Sequence, residues 1–334
     1  MSMRWSRQHS VGVFALVSLL AAVLAVGWVT QPIFGSGVAT REAWPASEEK
    51  LRSDVEYLTG VLGRRHHARS DTLRRTADFL KRSLVEAGAT VSEQSYEVEG
   101  ARYVNVVARF GPTGSDPLIV GAHYDVEEGT RGADDNASGV AVLLDAAHWL
   151  GRRSDIQAPV ELVFYTLEEP PYFRSEFMGS WQHASQLEAA GVRPRLVVVL
   201  EMLGYFSDAS GSQSYPLPGM SLLYPDRGDF LAVVGHLGNP RVVRRVKSSL
   251  RAASDLPIES INAPAWLPGM DFSDHASYWA KGMPAVMLTD TSFYRNPHYH
   301  KASDLPHTLD YVRMAKVAAG VKKIIKDAAL AKDE

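Results

Sequence analysis

His123, Asp134, Glu168, Glu169, Glu201 and His300 are the residues of this 334-residue chain whose types and spacing suit metal chemistry. Carboxylate oxygens and neutral imidazoles are ligands for divalent cations, and a carboxylate beside such an ion can take a proton from an attacking water. The chain has no cysteine. Thiolate metal sites, disulfides and cysteine nucleophiles are therefore excluded, and any metal must be held by oxygen and nitrogen. Taken singly, each residue also has a plain structural explanation, such as a histidine satisfied by the backbone or a Glu-Glu pair in a solvated loop. Their shared placement at the ends of apolar runs is what sets them apart, because carboxylates are almost never buried unless paired or bound to metal. Asp274, His275 and Ser277 suggest a serine triad, but they stand where a helix starts and fit capping, with Gly282 as its stop. No Gly-x-Ser-x-Gly elbow is present.

The elements that must carry these groups follow from periodicity. Continuous apolar runs predict buried strands at 118–122, 160–167, 196–202 and 285–289. Helical spacing predicts helices near 139–150, 178–190, 240–253 and 275–281, with a closing helix over 309–327. Before them come a helix capped by Ser47, a second starting at Ser70 and ending at Gly88, and two strands, 91–98 and 103–110, turning at Gly100. This order predicts a single α/β sandwich with a mixed, mainly parallel central sheet flanked by helices, its first strands antiparallel. His123, Glu168, Glu169 and Glu201 then sit beyond the carboxyl ends of strands, where open α/β sheets bind ligands. Residues 206–217, rich in Gly, Ser and Asp, read as a surface loop or lid.

At 46% apolar and 22% charged the chain can bury one large core, and a net charge of −3 gives no reason to expect a nucleic-acid partner. The scattered Lys and Arg read as solvated surface. The N-terminus differs in kind. Residues 1–10 form a short basic segment with Arg4 and Arg7, 11–29 are uncharged and apolar, 30–45 read as a linker, and 46–330 as the main domain. A run of that length just crosses a hydrocarbon core of about 30 Å, so 11–29 are expected to be a transmembrane helix, with 1–10 cytoplasmic and the main domain outside. The alternative is a signal segment cleaved near Gly37-Val38-Ala39, which would leave the domain secreted.

Five ordered motifs resemble the M28 family of co-catalytic zinc aminopeptidases, over roughly 64–309. They are His123-x-Asp125, Asp134-Asp135-Asn136-Ala137-Ser138-Gly139, Glu168-Glu169, Glu201-Met202 and Asn296-Pro297-His298-Tyr299-His300-x-x-x-Asp304. The resemblance implies two Zn²⁺ ions, with Asp134 bridging, His123 and Glu201 completing one position, and Glu169 and His300 the other. Glu168 would be the general base, Asp125 would orient His123, and Asp304 would stand behind the ligands. It also implies a cis peptide between Asp134 and Asp135, and hydrolysis of N-terminal residues from peptides. Two features depart from the pattern. Many members have Asp where this chain has Glu201, and Glu169 is followed by Pro170-Pro171, which reads as a rigid wall of the substrate pocket or simply as a rigid loop. Tyr205, Tyr294 and His298 are the candidate pocket residues. Two other functions remain open on the same fold: a glutaminyl-cyclase-like aminoacyl transfer with one zinc, and a non-catalytic binding protein.

Overall fold

The computed structural model of the chain describes residues 7–33, 44, 46–114 and 116–330. The tail before Arg7, most of the 30–45 linker and the Gly37-Val38-Ala39 segment lie outside the described residues. The chain enters through α1 (Arg7–Thr30), α2 (Glu48–Glu56) and α3 (Ser70–Glu86), then the hairpin β1 (Thr90–Val98) and β2 (Ala101–Phe110). Next come β3 (Leu118–His123), α4 (Gly139–Leu150), β4 (Val160–Tyr165), α5 (Gly179–Ala189) and β5 (Leu196–Glu201). The remainder is β6 (Leu231–His236), α6 (Pro240–Ala253), β7 (Ile258–Ala263), α7 (His275–Ala280), β8 (Ala285–Thr289) and α8 (Tyr311–Ala329).

All eight strands form one sheet, in the order β1-β2-β4-β3-β5-β8-β6-β7. β4, β3, β5 and β8 are mutually parallel, while β1–β2, β2–β4 and β8–β6 are antiparallel. The expected mixed sheet is present, with two strands, β6 and β7, that the sequence did not reveal. α4 leaves β3 to reach β4 on one side, and the chain then crosses over β3 to β5 on the other, which makes the end of β3 the switch point of the sheet. The larger core packs α2, α3, α4, α6 and α8 against one face; a smaller one places α5 and α7 on the other. On that second face β6, β7 and β8 meet a loop carrying Leu267 and Met270 instead of a long helix.

β3 and β5 are buried along their whole lengths. Burying Leu196, Val197, Val198, Val199 and Leu200 is worth on the order of 7–15 kcal/mol at about 1.5–3 kcal/mol per side chain. That margin exceeds the several kcal/mol of desolvating a carboxylate, so the strand can carry Glu201 into a dry position at its end.

Two expectations need correction here. Among the described residues no helix is long and apolar enough to cross a membrane, so the transmembrane helix expected over 11–29 is not supported. α1 covers that stretch, and its C-terminal end docks on the edge strand β7: Asn262 Nδ2 donates to Trp28 O at 3.0 Å and Ser260 Oγ to Thr30 O at 2.7 Å. The basic residues are also not all surface. Arg65, Arg295 and Lys322 are buried, at 0%, 6% and 1% exposure.

Candidate active site

His123 ends β3, Glu168 and Glu169 follow β4, and Glu201 ends β5, so three neighbouring parallel strands bring four donors to one rim. His300 arrives from the loop before α8. His123 Nε2 lies 3.4 Å from Asp135 Oδ1, 3.4 Å from Glu201 Oε2 and 3.9 Å from Glu168 Oε2. His300 Nε2 lies 3.2 Å from both Asp135 Oδ2 and Glu169 Oε2. The two oxygens of Asp135 thus face two different imidazoles.

Asp135, and not Asp134, occupies the position expected of the bridging carboxylate. Asp134 turns back into the protein, where its Oδ1 accepts from Gly204 N at 2.8 Å and its Oδ2 from Asn296 Nδ2 at 2.6 Å. Burial and the facing carboxylate of Asp290 hold Asp134 well above the usual carboxylate range, so it is a hydrogen-bonded structural group. The non-proline cis peptide is likewise one residue later than expected, at Asp135–Asn136. Gly132 opens this loop in the left-handed region at φ +60°; a Cβ there would meet Asp135 O at 2.1 Å, so only glycine lets the turn close so tightly.

The supporting carboxylates act mainly on the backbone. Asp304 accepts from Asp134 N at 2.9 Å and Asp135 N at 3.1 Å, which fixes the loop from behind. Asp125 accepts from Glu168 N at 3.2 Å and Glu169 N at 3.1 Å, and lies 3.7 Å from His123 Nδ1. Its clearest work is therefore to pin the Glu168–Glu169 turn, with the His123 ring close by. Ser273 Oγ donates to Glu201 Oε2 at 2.6 Å, a partner the sequence did not point to.

The charges are out of balance. Among the described residues no lysine or arginine forms an ion pair with Asp135, Glu168, Glu169 or Glu201. Burial drives Glu168 well above its ordinary value, and the nearby Glu201 and Glu169 push the same way against His123. Burial and the charge of Asp135 raise Glu169 to about 8. Asp135 is the exception: burial alone would raise it, but His123 and His300 together hold it below the usual range. His123 is 0% exposed and neither ring nitrogen has a hydrogen-bond partner; Glu169 Oε1 is also buried and unpartnered. Such groups are costly unless something binds them. The donor groups His123–Asp135–Glu201, His123–Glu168–Glu169 and Glu127–Glu169–His300 each bring their atoms within 4.8 Å of one another, a spacing compatible with oxygen and nitrogen ligands on a divalent cation. The residues fit metal. Asp135→Asn is expected to lower the metal content of the protein by at least one equivalent, whereas Asp134→Asn keeps the metal and lowers thermal stability; elemental analysis of both variants distinguishes the two carboxylates.

Beside the donors lies a cavity of about 300 Å³. It is lined by Asp135, Glu168, Glu169, Glu201 and His300 together with Met220, Phe230, Val234, Ile261, Met270 and Met287. Strand register makes its floor, since Glu201 pairs with Thr289, Thr289 with Ala232, and Ala232 with Glu259. Tyr294, expected here, does line the cavity, as do Pro170 and Phe173 of the rigid loop and Gln213 to Pro216 of the expected lid. Tyr205 and His298 do not; they pack edge to face on each other at 5.9 Å. Asp274 sits at the α7 start without making a capping bond, buried with both oxygens unpartnered, so the capping reading fails for it.

An α/β sandwich with this rim defines a protein built to hold cations beside an apolar recess. The chain matches the model of Peptidase family M28 over residues 105–325 and belongs to that family. It is 44% identical over 318 residues to the uncharacterized protein YfbL of Escherichia coli, covering 92% of this chain and 96% of that one. Among solved structures it is similar to BSAP, a zinc aminopeptidase from Bacillus subtilis, at TM-score 0.70 and 13% identity over 87% of this chain and 97% of the other. It is also similar to a glutaminyl cyclase of Porphyromonas gingivalis, at TM-score 0.66 and 22% identity over 85% and 99%.

Proposed function

We propose that the protein is a two-ion zinc aminopeptidase that removes bulky apolar residues from the N-termini of peptides. The observation that carries this reading is Asp135, whose two oxygens lie 3.4 Å from His123 Nε2 and 3.2 Å from His300 Nε2, as a carboxylate shared by two ions requires. A single-zinc cyclase has no use for that arrangement. His123, Asp135 and Glu201 would hold one ion, and Asp135, Glu169 and His300 the other. When bound, the ions supply Lewis acidity, which polarises a scissile carbonyl and makes a water acidic enough to attack at neutral pH. Zinc is supported by the donor chemistry and by the likeness to a zinc aminopeptidase.

The chain's own residues do the rest. Glu168 Oε takes the proton of the attacking water and delivers it to the departing amine nitrogen. Its buried position keeps its proton affinity high, which suits a base that must become an acid within one turnover. The cavity excludes water from the N-terminal side chain, and its Met and Phe lining favours bulky apolar residues. Val234, 6% exposed at the cavity wall, gives a direct check. Val234→Trp is expected to raise KM for leucyl and phenylalanyl anilides about 10–100-fold while alanyl anilide changes little.

The deciding experiment is elemental analysis of the full chain together with turnover of aminoacyl-anilides, N-acetylated anilides and peptides with N-terminal Gln. Two equivalents of zinc with release limited to free N-termini supports the aminopeptidase. One equivalent with cyclised Gln moves the assignment to the cyclase, and turnover of blocked substrates moves it to another peptidase class. We place the domain on the extracytoplasmic side, supported by the apolar run behind Arg4 and Arg7. A reporter fused after Glu334 that is active only outside the cytoplasm tests this.

A further inference from the structure

Glu127, though one of the closely spaced donors, is assigned to neither ion in the function proposed above. It lies four residues beyond His123, on the half-buried stretch leading to the Gly132 turn, and its carbonyl accepts from Thr130 N at 3.3 Å. Its Oε2 is buried without a hydrogen-bond partner, as is Oε1 of Glu169, a side chain only 4% exposed. One oxygen of Glu127, one of Glu169 and a ring nitrogen of His300 all fall within 4.8 Å of one another. Ligands on opposite sides of a divalent ion with bonds of about 2.0–2.2 Å stand about 4–4.4 Å apart, so side-chain shifts of a few tenths of an ångström at most bring the three onto one cation.

We infer that Glu127 is an additional oxygen donor to the cation held by Glu169, His300 and Asp135. The imidazole decides the kind of cation. A substrate ammonium would be satisfied by carboxylates alone, whereas an imidazole nitrogen set 3.2 Å from oxygens of both Asp135 and Glu169 needs a proton or a metal ion between them, and a metal ion takes all three donors at once. The inference rests on the two-ion function proposed above and deepens it, because it makes the two positions unequal. His123, Asp135 and Glu201 provide two carboxylates and one imidazole, while the other position gains a third carboxylate from Glu127. More oxygen donors suit a harder ion, so that position tolerates Mn²⁺ better than its neighbour does.

The test is calorimetric titration of the full chain, stripped of metal with a chelator, using Zn²⁺ and then Mn²⁺, with elemental analysis of the products. Wild type is expected to bind two equivalents. Glu127→Gln should leave one dissociation constant unchanged and weaken the other about 10-fold or more, with the larger loss for Mn²⁺. Glu128→Gln, on the exposed neighbour, should match wild type. If Glu127→Gln does not fold, Glu127→Asp, which keeps the charge and withdraws the oxygens, should weaken the same ion. Two wild-type constants in Glu127→Gln overturn the inference, and a rise in KM for free N-termini alongside them assigns Glu127 to the substrate's amino group instead. Absence of binding in wild type itself would overturn the two-ion function, a result distinct from a loss confined to the variant.

Discussion

Glu168→Gln is expected to lower kcat by about 10²–10⁴-fold, the usual span for a positioned acid–base group, while the metal content stays that of wild type and KM moves little. The geometry separates this carboxylate from its neighbours. Glu168 lines the cavity and is 5% exposed. Its nearest imidazole contact, 3.9 Å to His123 Nε2, is longer than the 3.4 Å that Asp135 and Glu201 make to the same nitrogen. Its backbone is fixed by Asp125, so a glutamine of equal size would keep its place and lose only the ability to carry a proton. Glu169→Gln is the contrast: its side chain faces His300 at 3.2 Å, and the substitution should cost metal as well as activity. Single-turnover kinetics with elemental analysis of both variants reads the difference. A Glu168→Gln protein that loses an ion would make Glu168 a ligand, and one that keeps full activity would remove it from the chemistry.

The rim was legible in the sequence because its strands are written as apolar runs that end abruptly in a charge. Leu118 to His123 and Leu196 to Glu201 are buried throughout, so nothing in them alternates and the terminal donor stands out. β7 failed to announce itself for the opposite reason. It is an edge strand, and Glu259, Ser260 and Asn262 interrupt its apolar residues, since one face looks into the cavity while Ser260 and Asn262 bond the end of α1. Asp134 and Asp135 could not be told apart locally. Adjacent carboxylates in one loop have the same chemistry, and the choice between them is made by Gly204, Asp290 and Asn296, which lie far along the chain. Glu127 and the cavity wall share that difficulty, as their significance comes from partners that the fold alone brings near.

Arg65 gives the other large expected effect: Arg65→Met should destabilise the protein by about 3 kcal/mol, since hydrogen bonds made by a buried charged group are worth about 1.5–3 kcal/mol each. The side chain is fully buried, and its guanidinium donates only to backbone carbonyls. Nε reaches Tyr124 O at 2.8 Å, Nη1 reaches Leu58 O at 2.8 Å and Gly63 O and Arg131 O at 3.2 Å, and Nη2 reaches Gly132 O at 3.1 Å. Methionine fills much of the volume but leaves Tyr124 O buried without its donor, at about 1–3 kcal/mol for a carbonyl that water cannot reach, while Leu58 O and Gly132 O keep the backbone donors Gly63 N and Ala137 N. Burial lowers the guanidinium only to about 10, so at neutral pH it also brings a positive charge close to Asp125, Asp304, Asp135 and Glu169. Tyr124 lies between His123 and Asp125, and Gly132 opens the Asp135 loop, so the same bonds brace both sides of the metal rim. Arg65→Lys keeps the charge but lacks the planar fork, and should recover only part of the loss. Urea unfolding of the metal-free and zinc-loaded forms measures this. A larger destabilisation of the loaded form would show that Arg65 holds the rim in its binding geometry, whereas a loss below about 1 kcal/mol in both forms would mean that water replaces the guanidinium and that the loops hold without it.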